Sequence, residues 1–223
     1  MLITKQDDLL AQNLNPSGAP MQIDKDDEAA LYEAFQREND GGLITPAIGD
    51  VPSLEFSNDD AVHDCRIWEG YLDASILLLE KATQDWPRSN NLVFPGLFNL
   101  RHAMEVALKW LIKYAGGTVP KRAGHNLSVL IDAFRDTAVN LDEERTYISE
   151  CFLERISEIA ALDPRSVTFR YSQEHDGTSI RIASAPWNIR SLYFAVSDFG
   201  VILDNLSSRI EQSWLEHDQP DGP

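Results

Sequence analysis

Residues 95–117 read PGLFNLRHAMEVALKWLIKYAGG, and this stretch decides the fold. Leu97, Leu100, Met104, Ala107, Leu108 and Leu111 recur by three and four, so one face of a long helix is apolar. Pro95 suits the first turn of a helix, because its missing N–H would have no partner there, and the spacing predicts a start near it. Gly116-Gly117 supplies the stop, since glycine tolerates the left-handed conformation that ends many helices. A helix of this length needs other helices to cover its apolar face.

Working outward, the flanking segments meet that need. Residues 60–82 place Ala61, Cys65, Trp68, Leu72, Ile76 and Leu79 on one face. A shorter helix follows His125, with Leu127, Leu130, Ile131 and Phe134 facing inward. Another is predicted from about Asp142, carrying Ile148, Phe152, Ile156 and Ile159, and Asp163-Pro164 stops it. Two alternating segments, 167–171 and 179–183, flank Asp176-Gly177 and predict a small β-hairpin. The last helix starts near Pro186 or Asn188 and runs to about Trp214. Its seam is Ile189, Leu192, Val196, Phe199, Leu203, Leu206 and Ile210, a coiled-coil-like pattern that serves either packing within the bundle or a dimer. Gly200 lies beside the seam, as a close approach of two helices would use it. The expected fold class is all-α: a helical bundle with a small β-hairpin before the long last helix.

The chain has 223 residues and a formal net charge of −17, with 43% hydrophobic and 25% charged residues. That composition belongs to globular proteins, and the length is enough to bury a core. Residues 1–64 hold 14 acidic and 3 basic residues, and prolines and glycines punctuate them. We therefore divide the chain into an acidic, partly extended N-terminal arm (1–59), a helical domain (60–217) and a short disordered tail (218–223). One short helix is expected in the arm, at about 26–38. No apolar run spans a bilayer, and MLITKQDDLL lacks a leader's charged and apolar regions, so the expected location is cytoplasmic, with no membrane partner. Cys65 and Cys151 stand apart, the five histidines are scattered, and phosphate-loop and HExxH motifs are absent. No metal and no cofactor are expected.

One stretch opposes the acidic trend. Residues 101–125 contain Arg101, Lys109, Lys113, Lys121 and Arg122 against Glu105 alone, flanked by His102 and His125. Converging cations bind phosphate, and arginine offers a planar fork for it, so these are candidate anion- or RNA-binding residues. The same spacing by four also builds a surface salt-bridge ladder from Arg101 through Glu105 and Lys109 to Lys113. The net charge excludes a protein that coats nucleic acid by bulk attraction but permits a small, directional phosphate site.

The segment Phe98-Asn99-Leu100-Arg101-His102-Ala103-Met104-Glu105, with Lys109 after it, resembles a stretch of prokaryotic HEPN-like proteins. Gly124-His125-Asn126-Leu127 resembles their turn into the next helix, and Leu162-Asp163 with Phe169-Arg170-Tyr171 resembles a further short motif. The resemblance covers about residues 60–215. It implies an all-α, usually dimeric domain of toxin–antitoxin, abortive-infection and antiviral defence systems. Many members are metal-independent endoribonucleases that use Arg, four to six residues, then His on a helix; others bind or assemble. In this chain no helical Arg has a His at that distance. Arg170 and His175 have it, but in the predicted hairpin. The resemblance therefore implies first a dimeric RNA- or nucleotide-binding or assembly module with a defence-system partner. The alternatives are a ribonuclease with a non-standard site and a helical interaction protein with no nucleic-acid role. The candidate catalytic residues are Arg101, His102, His125 and Arg170. Arg101 and Glu105 share a helix face, so Glu105 is the expected structural partner, whereas Arg101 and His102 point about 100° apart.

Overall fold

The computed structural model describes residues 29–30, 32–33, 59–138, 150–182 and 186–217. The chain divides into two units, Met1–Glu55 and Phe56–Pro223. In the first, residues 29–30 and 32–33 are helical, within the helix expected at 26–38. The rest of the arm up to residue 58, residues 142–149 of the predicted fourth helix, Ala183 and the 218–223 tail lie outside the described residues.

In the second unit the fold is all-α. Asp59 opens α1 (Asp60–Gln84), its carboxylate accepting from the N–H groups of Ala61 and Val62 at 2.9 and 3.1 Å. A 3₁₀ turn, Trp86–Arg88, leads into α2 (Ser89–Tyr114). α2 thus begins before Pro95, which sits inside it. Proline withholds one hydrogen bond from a helix. One residue on, the helix is tied to α1: Ser75 Oγ donates to the Gly96 carbonyl at 2.8 Å, and Ser75 is fully buried. Gly96 also permits close approach, since a Cβ there would lie 3.3 Å from Leu79. Trp68 meets Trp110, and Asp64 meets Lys113, so α1 and α2 run antiparallel along their whole length.

Gly116 and Gly117 end α2 as expected. Gly116 has φ +78°; its N–H donates to Lys113 O, and that of Gly117 to Ile112 O, which closes the helix in a Schellman turn. α3 (Leu127–Ala138) is capped by the side chain of Asn126, which accepts from Val129 N. α4 (Glu150–Leu162) buries Phe152, Leu153, Ile156, Ile159 and Ala160. α5 (Ile189–His217) is capped by Asn188, whose Oδ1 accepts from Arg190 N and Ser191 N. Its seam faces inward: Val196, Phe199, Leu203, Leu206 and Ile210 are all buried against the rest of the bundle. A Cβ on Gly200 would meet Leu72 at an ordinary 3.9 Å, so close packing does not require that glycine.

The hairpin region differs in register from the expectation. A chain reversal spans Ser172–Ile180, with one antiparallel bridge between Gln173 and Ser179 and no strand among the described residues. Residues 167–171 coil instead, because Asp163 captures their N–H groups: its Oδ1 accepts from Val167 at 2.7 Å and from Thr168 at 3.0 Å. No helix among the described residues is long and apolar enough to cross a membrane.

Candidate functional site

Arg101 lies on the inner face of α2 and is 1% exposed. Its guanidinium is enclosed by partners from three parts of the fold. Nη1 donates to Glu105 Oε2 at 3.2 Å, Nη2 to the His125 carbonyl at 2.7 Å, and Nε to the Asp163 carbonyl at 3.0 Å. Asp163 Oδ2 stands 3.4 Å from Nε and contributes charge without a hydrogen bond of its own, since that N–H already points at the carbonyl. Arg101 therefore ties α2 to the turn before α3 and to the end of α4. In this arrangement it meets no solvent-side anion, and its expected phosphate role is replaced by a structural one.

Glu105 is the second member of this hub, as its position four residues on from Arg101 implied. It is 2% exposed and also takes Lys109 Nζ at 2.7 Å and His125 Nδ1 at 2.9 Å. Burial pushes its carboxyl up, but the hydrogen bonds and charges of Lys109 and His125 outweigh this and hold it below the usual carboxylate range. An ionised carboxylate only accepts, so Nδ1 of His125 carries the proton. The His125 ring is otherwise open, with its side chain 73% exposed. It neither caps α3 nor enters the core.

The ladder stops at Lys109. Lys113 Nζ turns to α1 and pairs with Asp64 at 2.7 Å. Lys121 and Arg122 are exposed on the turn before His125 and make no ion pair among the described residues.

His102, one residue on from the hub, faces outward. Its ring packs edge-on against Tyr71 of α1 at 4.4 Å and parallel to Phe98 at 6.2 Å. Beyond Phe98 comes Arg170, with Cζ 5.6 Å from the Phe98 ring centre and 5.3 Å from that of Tyr171. Tyr71, His102, Phe98, Arg170 and Tyr171 thus form one continuous strip of flat surfaces, with Tyr171 57% exposed. Burial pushes the His102 imidazole below its ordinary pKa, and Lys109 and Arg101 add to this against the opposing pull of Glu105. The neutral form of His102 is thereby favoured.

The structure therefore joins His102 and Arg170 on one face, and Arg101, Glu105, Lys109 and His125 in a hub behind it. Arg101 and His102 diverge, as their adjacency on a helix requires. Three members of the strip were not read as candidates. Phe98 and Tyr171 stand within the motif segments, but only tertiary pairing reveals their stacking. Tyr71 is brought to His102 by the antiparallel register of α1 and α2, which no local pattern encodes. Among the described residues, no cluster of His, Cys, Asp or Glu could hold a metal ion. No protein-family model matches the chain, and no curated protein or solved structure matches it.

Proposed function

We propose that the chain is a HEPN-like RNA- or nucleotide-binding module, acting through the strip of Tyr71, Phe98, His102, Arg170 and Tyr171. The strip itself carries the reading: two exposed tyrosines, joined through the half-buried His102 and Phe98 and an unneutralised arginine, are what unpaired bases stack on. A neutral His102 offers a stacking surface and a hydrogen-bonding nitrogen. Lys121 and Arg122, exposed on the turn before α3, are open to the phosphates of a longer ligand. The sequence resemblance adds a stress or phage-defence setting, with a second copy or a defence-system protein as partner. With the α5 seam turned inward, a second copy would use outer positions such as Phe194 and Val201, both more than half exposed.

Binding is favoured over cleavage. Cleavage needs a cation and an acid–base group on the same phosphate, whereas Arg101 is enclosed and the Phe98 ring stands between His102 and Arg170. The test is fluorescence anisotropy with a labelled, unstructured oligoribonucleotide. Binding that weakens about fivefold or more in Tyr71→Ala or His102→Ala, with the RNA intact on a gel, supports the reading, since one stacked base contributes about 1–3 kcal/mol. Metal-free cleavage abolished by His102→Ala would favour the ribonuclease instead. The absence of any binding would leave a helical interaction protein.

A further inference from the structure

We propose that Arg170 and Tyr171 together form the seat for one unpaired nucleobase and its phosphate, and that Asp163 positions them. This rests on the nucleic-acid reading above and goes further by naming the ligand's form and the device that holds its seat.

The device starts in the core. Asp163 is fully buried, and its carbonyl is fixed by Arg101 Nε. Its Oδ1 gathers Val167 N and Thr168 N, which forces the chain to coil immediately after α4. Thr168 and Phe169 are drawn into the bundle at 7% and 5% exposure, so the coil has a buried anchor. Ser166 takes φ +59°, a conformation uncommon for a residue with a Cβ. Its carbonyl accepts from Nε of Arg170 at 2.7 Å and also from Nη2. A surface arginine serving only as a charge needs none of this. Here the guanidinium is held from its own backbone and laid against Phe98 and Tyr171.

That fixed geometry selects a ligand. The Tyr171 ring is backed by the guanidinium and remains 57% exposed, which suits stacking of a base. Arg170 pairs with no carboxylate among the described residues, and its Nη1 is left to donate to a phosphate beside the stacked base. Duplex RNA hides its base faces, so the seat takes a single-stranded segment. The strongly acidic chain opposes long phosphate tracks, so few phosphates are engaged and the salt dependence is shallow.

The test compares single-stranded and duplex oligoribonucleotides of one sequence, on the full chain and on Arg170→Lys, Tyr171→Ala, Asp163→Ala and Ser166→Val. Circular dichroism melts establish that each variant is folded at the assay temperature. Arg170→Lys keeps the charge and loses the plane, and we expect about fivefold weaker binding or more, as loss of a stacking partner gives. Ser166→Val disfavours the left-handed residue at a half-buried site away from the core. It weakens binding with a modest fall in melting temperature that leaves the chain folded, and so stands in for Asp163→Ala if that variant does not fold. If Arg170→Lys and Ser166→Val bind as the wild type does, or if duplex binds equally well, the seat is wrong while the nucleic-acid reading stands. If the wild type binds neither RNA, both fail.

Discussion

Replacing Arg101 by Met would test whether the hub holds the bundle together. Methionine keeps much of the arginine's length and removes every polar contact. The loss would leave the buried Asp163 carboxylate without its counter-charge and the carbonyls of His125 and Asp163 without their donors. Glu105 would keep Lys109 and His125, which softens the effect at that end. Breaking a buried ion pair from one side costs about 3–5 kcal/mol. In a unit of this size each kcal/mol moves the melting temperature by about 2–4 °C, so about 4 kcal/mol predicts a fall of roughly 8–16 °C. Thermal melts followed by circular dichroism read this directly. Urea titration should show a lower midpoint with an unchanged slope, because the surface exposed on unfolding is the same. Adding Asp163→Asn to Arg101→Met should recover part of the loss, since the stranded charge goes with its partner. A fall of less than about 2 °C for Arg101→Met alone would refute the reasoning.

Other outcomes follow from the same geometry. A Cβ on Gly117 would lie 2.5 Å from Thr137 Oγ1 and 3.0 Å from Ile112 O, so Gly117→Ala should destabilise by about 1–3 kcal/mol, measurable by urea titration. Stability should decline as pH falls below the ordinary imidazole value near 6.5, because His102 resists protonation more in the folded chain than in the unfolded one. It should decline again at lower pH, below the ordinary carboxylate range, as Glu105 is forced to take up a proton; melts of wild type and His102→Gln across pH separate the two steps. Burial and the neighbouring Glu69 carboxylate push the Cys65 thiol up to about 12, so alkylation at pH 8 should be much slower than for a free thiol, as mass spectrometry would show.

The helices were legible because their signals are local. The apolar spacing of Leu97 to Leu111, the Gly116-Gly117 stop and the caps at Asp59 and Asn188 all act within a few residues. Pro95 fits the first turn of a helix but does not forbid turns before it, and here the helix already starts at Ser89. The hairpin register was misplaced because a buried aspartate, Asp163, competes for the backbone N–H groups that strand pairing would use. The basic stretch was visible as charge but not as roles. Arg101, Lys109 and Lys113 look equivalent in a ladder, whereas burial separates them into a core clamp, a bridge to Glu105 and a tie to α1. The strip was the least legible part, because Tyr71 reaches His102 only once two helices pack, and Arg170 reaches Phe98 only once the loop coils.

One titration tests the role of the strip most directly. A labelled single-stranded oligoribonucleotide is added to the wild type and to His102→Ala, with melts to establish that both are folded. We expect saturable binding by the wild type, weakened about fivefold or more by the variant at nearly unchanged melting temperature. Equal binding by both would remove the strip from the interface, and no binding by the wild type would contradict the proposed function itself.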